Sequence, residues 1–162
     1  MTTEFKFVTE WRIDAPLVEV CDTIIHCLDW PIWWKNVKMV EKIENGDADG
    51  IGSVHRFTWK GRIPYRFTFD MRVTGFVPLS LLEGHALGEI TGTGRWNFFR
   101  EDELTVVRYH WHIYTNRRWM NLLAPIASPV FKWNHHQVMW QGAKGMACQL
   151  NARLEYFHTS TE

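Results

Sequence analysis

Apolar and polar residues alternate with a period of two from Tyr65 to Val73, where Tyr65, Phe67, Phe69, Met71 and Val73 stand between Arg66, Thr68, Asp70 and Arg72. Successive side chains of a strand leave opposite faces of a sheet, so this alternation predicts a half-buried strand. Weaker alternation predicts further strands over 4–13, 37–43, 53–60, 79–89, 94–101 and 104–115. Between the first two, Leu17, Val20, Cys21, Ile24 and Leu28 recur at helical spacing. Asp14 suits an N-cap there and Pro16 a first helical turn. A short second helix near 31–36 carries Trp33 and Trp34. Short turns between neighbouring strands favour an antiparallel meander.

The last pattern, over 128–154, predicts a long helix with Ser128 as its cap and Pro129 at its first position. At 100° per residue, His135, Met139, Gly142, Met146 and Leu150 stack on one face. Asn134, Gln137, Gln141, Lys144 and Glu155 stack on the other. Gly142, Ala143 and Gly145 thin out the middle of this helix. Each helical glycine costs about 0.5–1 kcal/mol relative to alanine, so something compensates: close packing against a sheet, or room for a ligand. A curved antiparallel sheet of about seven strands wrapped around this helix lets both elements bury their single apolar faces. The expected class is α+β, with residues 1–162 as one domain.

Composition narrows the function. A chain of 162 residues buries a sizeable core without disulfides or metals. Its 18 basic and 18 acidic side chains balance to +0, which argues against nucleic acid as a partner. Ten Trp and ten Phe exceed ordinary core filling and point either to cavity walls, rims and interfaces or to a large half-open core. Cys21, Cys27 and Cys148 form no CxxC pair and read as structural or incidental thiols of a reducing cytoplasm. The N-terminal Met-Thr-Thr-Glu run has no apolar core of a secretory leader. The longest apolar stretch, 119–131, is interrupted by Pro125 and Pro129 and is too short to span a bilayer.

Local features add a likeness. Ile13-Asp14-Ala15-Pro16 opens the first helix, Trp30-Pro31-Ile32-Trp33-Trp34 follows it, Gly50-Ile51-Gly52 opens a strand, and a long helix closes the chain. In this element order the sequence resembles, over essentially its whole length, the START/SRPBCC superfamily with its helix-grip fold. That group includes polyketide cyclase/dehydrase-like proteins, lipid-transfer domains and plant ligand carriers. The resemblance implies an apolar ligand held between sheet and C-terminal helix; in the aromatase/cyclases a poly-β-ketone chain folds in that space. It assigns no catalytic residue here.

The ligand-binding candidates are the strand residues Phe57, Trp59, Tyr65, Phe67, Phe69 and Met71, and also Trp96, Tyr109 and Trp111. The helix contributes His135, Met139, Gly142 and Met146. Aromatic walls with a few polar tips are the usual make-up of small-molecule pockets. His135 is the first catalytic candidate, as a proton shuttle or ligand hydrogen bonder, against a structural role satisfied by a strand. Glu83 and His85 form an acid/base pair only if their strand face is the inner one. His110 and His112 share a strand face, yet no third ligand stands at diagnostic spacing, so they read as solvent-facing and no metal is expected. No dinucleotide, phosphate-loop, nucleophile-elbow or zinc-protease motif occurs, and no cofactor is expected. Arg117-Arg118-Trp119-Met120 with Leu122-Leu123 is basic, then apolar. It reads as a membrane or partner patch or, the favoured expectation, as a buried crossover tucking Leu122, Leu123 and Ile126 under the helix. Three functions remain: carriage of a small hydrophobic molecule, cyclase or dehydratase chemistry in the same cavity, and a Trp-rich protein-interaction module.

Overall fold

The computed structural model describes residues 2–162. Its strands are β1 (Thr3–Ile13), β2 (Val37–Glu44), β3 (Val54–Lys60), β4 (Arg66–Val77), β5 (Leu81–Gly88), β6 (Ile90–Glu101), β7 (Leu104–Thr115) and β8 (Leu154–Thr161). Helices α1 (Leu17–Ile25) and α2 (Trp30–Trp33) follow β1; α3 (Arg118–Leu122) and α4 (Ala124–Gln149) follow β7. All neighbours pair antiparallel in one curved sheet of order β2-β3-β4-β5-β6-β7-β1-β8. The fold is α+β, as the pattern predicts, with one strand more than the sequence suggested.

That strand comes out of the final helix. Helix α4 stops at Gln149, short of the expected end, because Asn151 adopts a left-handed φ of 49°. The Ala152 and Asn151 amides then close back onto the Ala147 and Cys148 carbonyls, at 2.8 and 3.1 Å. This is the bonding of a Schellman cap, and asparagine is one of the few residues that enters the left-handed region cheaply. Leu154 and Glu155 therefore belong to β8, which pairs with β1. At its other end α4 begins earlier than expected, with Pro125 in the first turn and Pro129 inside the helix. Asp14 does not cap α1, whose N-cap position is Pro16. It joins β1 to β8 instead: its amide donates to the Arg153 carbonyl at 3.0 Å and its carboxylate accepts from Arg153 Nη2 at 3.1 Å.

The tryptophans at the C-terminal end of α2, Trp33 and the capping Trp34, explain the helical glycines. A Cβ on Gly142 would fall inside the Trp34 indole, and one on Gly145 would collide with the Trp33 carbonyl. Close packing is thus what compensates for these residues, against α2 rather than against the sheet or a ligand. Trp34 is 1% exposed, packs edge-on to Trp11 at 5.6 Å and to Trp59 at 5.0 Å, and donates from Nε1 to the Val138 carbonyl at 2.9 Å. Trp30 donates to the Ile24 carbonyl at 3.0 Å, so two indole N–H groups find partners within the core. Gly142 and Met146 lie in this dry layer.

Candidate functional site

Two adjoining chambers open between sheet and helices, with volumes of about 590 and 150 Å³. The larger one lies beside α1 and the loop after β2, over Phe57, Met71 and Leu82. The smaller one lies under the first half of α4, among Phe5, Phe7, Phe67, Trp111, Phe131 and Met139. Trp30, Trp59, Phe69, Trp96 and Tyr109 line both, a partition of rings shared by the two spaces. Strand parity explains the wall: on β4, Phe67, Phe69 and Met71 take one face, while Asp70 on the other binds Arg56 through contacts of 2.8 and 3.1 Å. Trp96 and Tyr109 are cross-strand partners on β6 and β7, with rings stacked at 4.0 Å.

Polar groups are few in the smaller chamber, whereas the larger one also carries Lys42, Asn45, Asp47, Asp49, Ser53 and Arg72 on its lining. His135 stacks on Phe7 at 3.8 Å, and its Nε2 is buried without a protein partner. Burial, with a smaller contribution from His136, pushes its pKa down to about 3, so the ring is neutral at physiological pH. Trp59 Nε1 is likewise buried and unpaired. Burial raises the Tyr109 phenol far above its usual range and keeps it protonated. Burial also pushes the Cys27 thiol, on the wall of the larger chamber, up to about 11, which removes it as a thiolate nucleophile at neutral pH. His55 faces the same space with a pKa lowered by burial and then by Lys42.

Several expected site residues lie elsewhere. Glu83 and His85 turn their side chains to the outer face of β5: Glu83 borders the larger chamber but accepts from Arg95 at 2.7 Å, and His85 is exposed outside both spaces. Their neighbours Gly84 and Ala86 face inward, where a Cβ on Gly84 would already meet Met71 Cε at 2.8 Å. Beside Met71 only very small residues fit on that side, whereas Leu82 faces inward on the wall of the larger chamber; Leu81 and Leu87 lie on the outer face and gave the wrong parity. Tyr65 lines neither chamber; it donates to Glu89 at 2.6 Å and packs edge-on to Trp119 at 5.2 Å. Gly142 and Met146 sit behind Trp34, outside both spaces. His112 is engaged by Glu4 at 2.7 Å and His110 is exposed. Among the described residues no three His, Cys, Asp or Glu side chains gather as a metal site.

Other lining residues escaped the sequence reading. Phe5 and Phe7 face Ile113 and Trp111 across the β1–β7 pairing, and their own alternation carried that signal. Asn134, assigned by phase to the outer helix face, is buried. Its Oδ1 accepts from the amides of Arg62 at 2.9 Å and Ile63 at 3.4 Å, closing the β3–β4 loop over the small chamber. Glu89 ties a second seam. Burial alone would raise its pKa, but bonds from Tyr65, the Thr68 amide and Arg117 outweigh that and hold it below the usual carboxylate range. The crossover is not buried: Leu122 and Ile126 are each 80% exposed and Leu123 is 46% exposed.

No protein-family model and no curated protein matches this sequence. Solved structures do match in shape. The Zhui aromatase/cyclase of a Streptomyces species superposes with a TM-score of 0.70 at 15% identity, covering 93% of this chain and 94% of that one. A START superfamily protein from Mycobacterium smegmatis gives 0.73 at 11% identity, covering 91% and 97%. The di-domain aromatase/cyclase BexL gives 0.70 at 20% identity over 93% of this chain, which spans 51% of that protein. At these identities the likeness is one of architecture: the chain has the helix-grip fold of START-like proteins.

Proposed function

We propose that the chain, acting as a single helix-grip domain in the cytoplasm, binds a small hydrophobic molecule. The ligand would be flat or aromatic, with at least one hydrogen-bond acceptor, and would sit between the sheet and α4. The observation carrying this reading is the ring-lined double chamber that holds Trp59 Nε1 buried and unpaired. A buried donor without a partner costs about 1–3 kcal/mol, which an acceptor on the ligand recovers. Phe57, Phe67, Phe69, Met71, Trp96, Trp111 and Met139 supply apolar contact at about 25 cal/mol per Å². His135, neutral, offers either a donor or an acceptor according to its tautomer.

Cyclase or dehydratase chemistry is the second reading, favoured by the presence of the neutral His135 and the protonated Tyr109 in one chamber. The phenol can donate to and polarise a carbonyl; the imidazole, held to a pKa of about 3, is a weak base and would accept an α-proton only as charge developing on the substrate raised its basicity. Glu83 and His85 are outside that chamber, the first engaged by Arg95 and the second exposed.

The test is native mass spectrometry of the purified protein for a retained molecule, then titration with an apolar fluorophore that carries a carbonyl. Trp59→Phe should weaken binding of this probe about three- to tenfold, as loss of one hydrogen bond implies, while leaving a hydrocarbon probe unaffected. A protein that retains nothing and takes up neither probe has no binding cavity, and the reading falls. Conversion of a polyketone by the wild type, lost in His135→Phe, would move the assignment to the enzyme.

A further inference from the structure

Trp119, Leu122, Leu123, Ile126, Val130 and Trp133 recur at i, i+3, i+4, i+7, i+11 and i+14, the spacing of one helical face. That face is turned to solvent. Leu122 and Ile126 are 80% exposed, and the other four lie between 41% and 49%. The opposite side of α3 and α4 faces the sheet through Met120, which is 2% exposed, and the buried Asn134. A contiguous apolar stripe facing water marks a contact surface.

The charge around it selects the partner. No Asp or Glu occurs anywhere from residue 104 to 154, although the chain holds 18 of them. Arg117 is engaged by Glu89 at 2.6 Å, but Arg118 and Lys132 are exposed beside the stripe. Arg62 reaches over the Trp133 ring at 5.9 Å. Pairing this face with a second copy of itself would bring like charges together with no acid in the span to offset them. An anionic surface meets no such penalty. No helix among the described residues is long and apolar enough to cross a membrane, so the segment would lie on a bilayer rather than through it.

We propose that this face docks on the anionic surface of a lipid bilayer. Leu122 and Ile126 enter the acyl boundary, Trp119 and Trp133 rest at headgroup level, and Arg118, Lys132 and Arg62 meet the phosphates. The proposal rests on exposure and charge alone and stands whatever the cavity holds. Its geometry nevertheless matters to the cavity, because Met120 and Phe131, on the same two helices, line the smaller chamber.

Co-sedimentation of the full chain with vesicles tests it, comparing phosphatidylcholine alone with phosphatidylcholine mixed with phosphatidylserine. The wild type should bind the mixed vesicles, and less so as salt rises. The double variant Arg118→Gln/Lys132→Gln should bind about thirtyfold more weakly, from the contribution of each cation near a charged surface. The double variant Leu122→Ser/Ile126→Ser should lose about tenfold or more through reduced apolar insertion, with an unchanged melting temperature as control for folding. Equal binding to both vesicle types, or to neither, overturns the proposal. So does a wild-type dimer in the analytical ultracentrifuge that the Leu122→Ser/Ile126→Ser variant returns to monomer, which would assign the stripe to a second copy of the chain.

Discussion

The two halves of α4 solve different problems with the same backbone. From Gly142 to Ala147 the helix is pressed into the tryptophans of α2, and its small residues exist to let those indoles in. From Ala124 to Asn134 it turns an apolar stripe to solvent, roofs a small chamber, and is tied to the β3–β4 loop by Asn134 and to Phe5 and Phe67 by Phe131. One half is locked in the core, and the other covers a cavity. A helix phase computed over the whole length averages the two and describes neither.

The sharpest way to break this contrast is Trp34→Ala. It empties the volume around which α2 and α4 close, and the expected loss is about 3–5 kcal/mol, read as a lower urea midpoint. Gly142→Leu approaches the same contact from the helix side. Overpacking Trp34 should cost about 1–3 kcal/mol or more. His135 then separates the halves by pH. Its pKa falls from an ordinary 6.5 to about 3 on folding, so the unfolded chain takes up the proton first. The stability it confers is complete above about pH 6.5 and is lost as pH drops towards 3. His135→Phe keeps the stack on Phe7 and should flatten the pH dependence over that window; parallel wild-type and variant curves would mean the ring is not buried neutral. Smallest of all, Ile126→Ser should shift stability by no more than about 0.5 kcal/mol. A loss there equal to that of Gly142→Leu would mean the stripe is packed, and the distinction between the halves would disappear.

Element order and most of the cavity wall were readable from the residues. Phe57, Trp59, Phe67, Phe69, Met71, Trp96, Tyr109 and Trp111 all lie on a chamber wall because strand alternation is a local property. The failures came where a neighbour decides. On β5 the inward positions are Leu82, Gly84 and Ala86, with Met71 leaving no room for a side chain at Gly84, and the apolar Leu81 and Leu87 marked the wrong side. Asn134 looked like a surface residue until the β3–β4 loop supplied two amides for it. The end of α4 did carry its own signal in Asn151, but apolar phase continuing through Leu150 and Leu154 obscured it. The exposed crossover ran against the expectation that apolar residues are inside, which holds only where a partner face exists within the same chain.

The hydrogen bond from Trp34 to the Val138 carbonyl marks a boundary in time as well as in space. Residues beyond it towards Gln149 open only when the core does, whereas those before it need release only a few contacts. Amide hydrogen exchange should therefore be graded along a single unbroken helix, slow at Gly142–Ala147 and faster at Val130–Asn134. A molecule bound in the smaller chamber would then be released fastest through fraying of the helix start, on a timescale set by those contacts rather than by global unfolding.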